Sequence, residues 1–361
     1  MKRCVALLTF TLFSSFSAFA QEPRYYFFRP LEYGSEAVYN PLTLVLNGGG
    51  DILQTYQSPN RIDELPWNRG STSVWRSLIS PAYYINQYGW NRFLSQEVFP
   101  TSFDIEKSQY IPNYFLHLIG GGMEYRKITE WYDYHGYPAP ALFGSVTAMA
   151  FHFVNEMVEN GDGIHPNTDA IADLMIFDPL GILLFSFDGV AEFFSTEVGL
   201  NDWSIQPAFS FRPLSVRNVG QNFVAKIPFT QSHSTSLFVH FGKFALFGLS
   251  VKTSSEESLS IGLGGTTTGV YIVDDKNGIP TRSTLVGGMG GIYFDRNNSL
   301  LASITVTDTF IERFKVNVYP GAFFSSRFSP GFFFAVEQQG TIGVGLSLAA
   351  IPVGVSAYAP K

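Results

Sequence analysis

Cysteine is almost absent from this chain. The single one, Cys4, sits inside MKRCVALLTFTLFSSFSAFA, which has the form of a secretory signal peptide. Lys2 and Arg3 make a basic start, Val5 to Ala20 an apolar run, and Ala18-Phe19-Ala20 a small-x-small cleavage site. Residues 1–20 are expected to leave on export, and Cys4 with them. Cys4 precedes the apolar run, so it is not placed as a lipoprotein cysteine. The expected mature chain has no disulfide, no thiol nucleophile and no thiolate metal ligand. Charge is also scarce, at 15% against about 25% in ordinary soluble proteins. A formal net charge of −7 speaks against nucleic acid as a partner. No HExxH, GxSxG, P-loop or dinucleotide fingerprint occurs.

Aromatics and glycine are abundant instead: 16% aromatic, with 35 Phe, 18 Tyr and 34 Gly. An exported, charge-poor chain of this kind fits an outer-membrane β-barrel, which needs aromatic girdles, apolar outer faces and small inward residues. From about 203 the period is two. Trp203, Ile205, Pro207, Phe209 and Phe211 alternate with Ser204, Gln206, Ala208 and Ser210. Ile342, Val344, Leu346 and Leu348 alternate with Thr341, Gly343, Gly345 and Ser347, and similar runs cover 300–307 and 313–319. Lys276-Asn277-Gly278, Asp295-Arg296-Asn297-Asn298 and Gln338-Gln339-Gly340 mark turns between runs. A soluble sandwich would carry Lys, Glu and Asp on its second face; here that face is mostly Gly, Ser, Thr, Asn and Gln. The expectation is a mixed fold: a C-terminal transmembrane antiparallel β-barrel over 195–361, of about 8–12 strands, after an apolar α-helical block. A soluble periplasmic two-domain protein is the competing architecture.

That block spans 108–194 and reads as three helices, about 112–133, 141–159 and 168–194. Pro138 and Pro140 separate the first two, and Asn160-Gly161-Asp162-Gly163 with Pro166 the next two. Asn167 or Thr168 should cap the third, and Pro179 should kink or break it. Asp173, Asp178, Asp188, His152 and Glu156 interrupt the apolar runs. Each central Asp costs about 2.5–3.5 kcal/mol on membrane-insertion scales, so the segments read as secretable rather than spanning. They are expected in or under the barrel, near small residues such as Ser260, Gly262, Gly264, Gly287, Gly343 and Gly345. Residues 21–107 read as mostly irregular with short helices.

The helices carry i, i+4 pairs, which share a face: Asn113/His117, Arg126/Glu130, His152/Glu156 and Asp169/Asp173. His152, Glu156, His117 and Asp173 are the candidate catalytic set; Asn113, Arg126 and Asp169 are candidate ligand-binding residues. Imidazoles and carboxylates converging from three helices could bind zinc or a harder divalent ion, or perform acid–base hydrolysis. The plainer reading is structural. His152/Glu156 would be a buried pair that fixes helix packing, Asp169 would favour a helix N-terminus, and Arg126/Glu130 would be a surface ion pair. Spacing identifies no particular metal or cofactor.

Asn113-x-x-x-His117, Arg126, the apolar helix ending near Glu156, and Asp173-Leu174 followed by Pro179 and Gly181 resemble an uncharacterised bacterial envelope family, known only as a domain of unknown function. The likeness covers about 110–195. It implies an Asn/His-bearing helical block with an outer-membrane-like remainder, and no established activity. The first functional expectation is therefore an outer-membrane protein with a structural, binding or transport role. Its partners would be outer-membrane lipids and the barrel-insertion machinery. The alternative is an outer-membrane lipid or cell-envelope hydrolase, with His152 as general base and Glu156 or Asp173 orienting it.

Overall fold

A computed structural model describes residues 24–54, 61–100, 110–160, 166–229, 234–242, 244–274, 280–308, 312–324, 328–337 and 340–359. The expected signal peptide, Gly161-Asp162-Gly163, Lys276-Asn277-Gly278 and Gln338-Gln339 lie outside the described residues.

The N-terminal half is helical. Helix α1 is Gly34–Ala37, α2 Pro41–Gly49, α3 Trp67–Ile79 and α4 Pro81–Tyr88. Helix α5 runs Trp90–Arg92 and continues in π geometry over Phe93–Val98. So the described residues of 21–107 are not mostly irregular: Pro41 and Pro81 open helices at their first turns, where a missing N–H costs nothing. Helix α6 is π over Tyr110–Gly121 and α over Gly122–Tyr134. Helix α7 is Pro140–Glu159, α8 Asp169–Phe185 and α9 Asp188–Glu197. The single helix expected over 168–194 is thus two, bent by 88°. The break falls after Phe185 and not at Pro179. A π turn over Asp173–Phe177 precedes the proline, which then sits in the first turn of a fresh α segment. Thr168 stands at the N-cap of α8, but its side chain makes no capping bond.

The C-terminal half is one sheet. Its strands are β1 Leu200–Asp202, β2 Ala208–Phe211, β3 Leu214–Arg217, β4 Asn222–Pro228 and β5 Thr235–Gly242. Then come β6 Phe244–Lys252, β7 Glu257–Asp274, β8 Pro280–Arg296 and β9 Ser299–Thr307. Last are β10 Phe314–Val318, β11 Pro330–Val336, β12 Ile342–Leu348 and β13 Gly354–Ala359. The 13 strands run in the order β1-β4-β5-β6-β7-β8-β9-β10-β11-β12-β13-β2-β3. All pairings are antiparallel except β13 with β2. The expected closed barrel is not formed, because hydrogen bonding ends at β1 on one side and β3 on the other. Even so, only residues 203–207 link β1 to β2, and such a link spans at most about 20 Å. The sheet must therefore curl until its two ends nearly meet.

Residues 203–207, expected as part of an alternating strand, instead run along the inside of that curl. All five are buried. Trp203 Nε1 donates to Asn298 O at 2.9 Å and Gln206 Nε2 to Val318 O at 3.1 Å. Trp203 packs with Val38, Val224, Phe238, Leu246, Met289, Tyr293, Leu300 and Tyr319 in one inner core. The glycines expected to face the helices make room for the sheet's own side chains. Gly262 lies under Phe238, Gly343 under Tyr358 and Gly345 under Phe333. A cavity of about 30 Å³ lies among Trp203, His240, Tyr293, Thr305 and Lys315, room for about one or two waters.

The outer face is apolar. Phe247, Leu249 and Val251 on β6, Leu259, Ile261 and Leu263 on β7, Ile304 and Val306 on β9, and Ile342, Val344 and Leu346 on β12 are exposed. Their alternate neighbours Ser250, Ser258, Ser260, Ser303, Thr305 and Thr307 are buried. The period of two is that of a strand, but its polarity is the reverse of a water-soluble sheet.

The helices pack beside this sheet as a second core. Phe27, Phe28, Tyr39, Leu44, Met123, Ile128, Phe151 and Phe185 meet Leu200 and Phe223 of β1 and β4. One ion cluster joins the two halves. Lys127 of α6 is 1% exposed. Its Nζ lies 2.9 Å from Glu36 of α1, 3.3 Å from Asp202 of β1 and 4.2 Å from the centre of the Tyr39 ring. One turn earlier, burial and the charge of Asp202 push the Glu124 carboxyl well above its usual range. Removing the cation alone would leave two buried carboxylates unpaired. Lys127→Met is expected to lower stability by about 3–5 kcal/mol, measured by chemical unfolding followed through tryptophan fluorescence. Adding Glu36→Gln to that variant should recover part of the loss.

Candidate functional site

The four candidate catalytic residues, His117, His152, Glu156 and Asp173, form with Asp178 a buried cluster between α6, α7 and α8. His117 Nδ1 lies 2.8 Å from Asp178 Oδ1, and His117 Nε2 lies 3.6 Å from Asp173 Oδ2. His152 Nε2 reaches the same Asp178 oxygen at 3.2 Å. The two imidazoles are 4.8 Å apart, tilted by 32°. Three donor sets each fall within 4.8 Å: His117, His152 and Asp178; His117, Glu156 and Asp173; and Glu156, Glu159 and Asp169. Nitrogen and carboxylate oxygen in this mixture suit a divalent transition metal or a proton store.

Local structure explains the convergence. Asp173 and Asp178 are five apart, which on an α-helix would separate them. The π turn between them, in which the N–H of Asp178 bonds Asp173 O, brings i and i+5 into line. His117 also lies in π geometry. Gly120, Gly121 and Gly122 follow on α6 and let its neighbours approach. A Cβ on Gly121 would stand 2.6 Å from His152 Nε2, and one on Gly122 2.8 Å from Gly181 O. Asp178 was not among the candidate residues expected from sequence, because the i, i+4 rule passes over a five-residue spacing. The glycine run inside an apolar helix was the available sign of close helix contact.

The expected pairs are rearranged. His152 and Glu156 do not bond each other: His152 turns to Asp178, while Glu156 Oε2 accepts from Asn160 Nδ2 at 2.9 Å. Asn113 is away from the histidines and donates to Glu97 O at 2.8 Å, pinning α6 to α5. Asp169 is half-buried and joins the outer carboxylate set with Glu156 and Glu159. Arg126/Glu130 is not a surface pair. Glu130 is 3% exposed and accepts the backbone N–H groups of Tyr26, Phe27 and Phe28 at 2.9–3.0 Å. Arg126 bonds Glu130 at 2.9 Å and Asp188 at 2.7 Å. Both hold the N-terminal segment and lie outside the cluster.

Electrostatics separate the two histidines. Burial lowers the His152 pKa to about 3; Asp178 opposes this and His117 adds to it. Burial also works against the His117 cation, but the charge and hydrogen bond of Asp178, with Asp169 and Glu159, outweigh it and raise the pKa. Asp173 is raised well above the carboxylate range by burial and by Asp169, Glu156, Asp178 and Glu97. His152 is 4% exposed, packed on Phe151 and facing Gly121. A general base needs a path to substrate, and this ring is buried.

No protein-family model, no curated protein and no solved structure matches the chain.

His152 carries a pH prediction. Its folded pKa, about 3, lies below the unfolded value, so the unfolded chain takes up the proton first. Its contribution to stability is present above pH of about 6.5 and is lost as pH falls toward 3. Asp173 and His117, with raised values, act in the opposite sense. Thermal unfolding across pH 7 to 4 should show His152→Gln with a flatter acid limb than the parent, by up to about 1.4 kcal/mol per pH unit.

Proposed function

We propose that the protein is a bacterial outer-membrane protein, anchored in lipid by its curled sheet, with a structural or binding role. The observation that carries this reading is the reversed polarity of the strands. Leu263, 71% exposed, stands in a row with Ile261, Leu259, Phe247, Leu249 and Val251 across β6 and β7. In water, so large an apolar face marks an interaction surface; in lipid it is the ordinary outer face of a membrane sheet. The low charge and the secretory leader support the same location. The likeness of the Asn113–Gly181 pattern to an envelope family adds to it, resting on those residues alone.

The packed interior supports anchoring over conduction, since the curl is filled by Trp203, Phe238, Tyr293 and the 203–207 segment. Helix α7 is long and apolar enough to cross a membrane. We read it as a packing helix, because crossing would take His152 and Glu156 out of their buried partnerships. The burial of His152 supports a structural or binding role over the hydrolase alternative.

Fractionation should place the protein in outer membranes, and unboiled samples should migrate differently from boiled ones. The sharper test is Leu263→Arg. On a lipid-facing strand it should cost about 2–4 kcal/mol near mid-bilayer. At an exposed site in water it should change stability by less than about 0.5 kcal/mol. A periplasmic protein indifferent to Leu263→Arg would overturn the reading.

A further inference from the structure

We propose that His117, Glu156 and Asp173 form a binding site for one divalent transition-metal ion, zinc first, held between α6, α7 and α8. Metal-binding histidines characteristically give their second ring N–H to a carboxylate, which fixes the ring and the tautomer. His117 has this arrangement. Its Nδ1 is bonded to Asp178 at 2.8 Å, which leaves Nε2 turned toward Asp173. The Nε2 to Asp173 Oδ2 separation of 3.6 Å is too long for a hydrogen bond. It is close to the roughly 3.4 Å that separates two ligands of one tetrahedral zinc with bonds of about 2.1 Å. Glu156 supplies the third donor within 4.8 Å. Asn160 holds its other oxygen and so orients the carboxylate.

An independent observation points to a ligand. Asp173 is 2% exposed, and its Oδ1 meets no hydrogen-bond donor. Its only ion-pair partner among the described residues is His117. Leaving a buried carboxylate oxygen bare is costly, and a cation removes that cost for Asp173. Glu159 and Asp169, both half-buried, share the outer donor set with Glu156. They carry the oxygen donors from the buried imidazole toward the half-buried edge of the cluster. A single imidazole with several carboxylates suits zinc or manganese better than copper, which favours more nitrogen or sulfur. The site lies wholly in the helices, so it does not depend on the membrane reading.

The test uses the full chain purified from membranes or periplasm, wherever it is found. The protein is stripped with a chelator and titrated with zinc alone, with manganese and calcium as comparisons. We expect about one zinc per chain, with unfolding temperature rising as metal is added. His117→Gln and Asp173→Asn should each weaken binding by at least about 100-fold. Asp178→Asn, which removes the orienting carboxylate, should weaken it by about 10–100-fold. Cobalt in place of zinc should give the parent protein visible absorption bands, a readout that needs no variant. A parent protein that takes up neither zinc nor manganese and shows no cobalt bands overturns the proposal. So does zinc uptake by Asp173→Asn equal to that of the parent.

Discussion

Lys127 is the constraint on which the arrangement turns. A fully buried ammonium is tolerated only where its charge is met, and here Glu36 and Asp202 meet it from two other parts of the chain. Helix α6, the N-terminal segment and the first strand are therefore held at one point. Tyr39 closes the site with its ring face, and Glu130 on the next turn clamps the backbone at Tyr26–Phe28. Buried ion pairs add little net stability compared with apolar packing, but they define position sharply. In this molecule position is what matters, because two cores of opposite character have to be joined.

Those cores differ in what surrounds them. The helical core is an ordinary apolar interior of Phe, Leu, Ile and Tyr. The sheet has polar and aromatic side chains within and aliphatic ones without. The inner segment 203–207 takes up hydrogen bonds that a closed ring of strands would not supply. The sheet stays open at β1 and β3, and the bridge between Arg61 and Ser215 together with the Ile62 bond to Leu214 covers the β3 edge. An open edge is thereby masked by the chain itself.

The histidine–carboxylate cluster follows from the same close helix packing. Gly121 lets α6 approach α7 and Gly122 lets it approach α8, and the π turns aim His117, Asp173 and Asp178 at one another. Such turns are uncommon and recur at functional sites. Burial then sets the electrostatics, lowering the His152 pKa and raising that of Asp173.

Much of the fold was legible in the residues. The period of two in 300–307 and 342–348, the Asp295–Asn298 turn, and the two helices over 112–133 and 141–159 depend on local patterning, which every strand and helix must obey. That His117 and Asp173 each lie on a polar stripe of an apolar helix was also legible, because i, i+4 spacing and apolar surroundings are written along each helix. What the residues could not carry was geometry set by distant neighbours. Whether Glu130 lies on the surface or under a strand of backbone depends on residues about a hundred positions away. Whether Asp178 joins the site depends on a π turn that no spacing rule specifies. Whether 203–207 pairs in the sheet or folds inward depends on distant partners such as Asn298 and Val318, although its alternation reads as strand. Sequence alone determined the character of each segment, since that is a matter of local polarity and backbone preference. Tertiary structure decided which buried charges meet, because only packing sets the distance between groups that the chain keeps far apart.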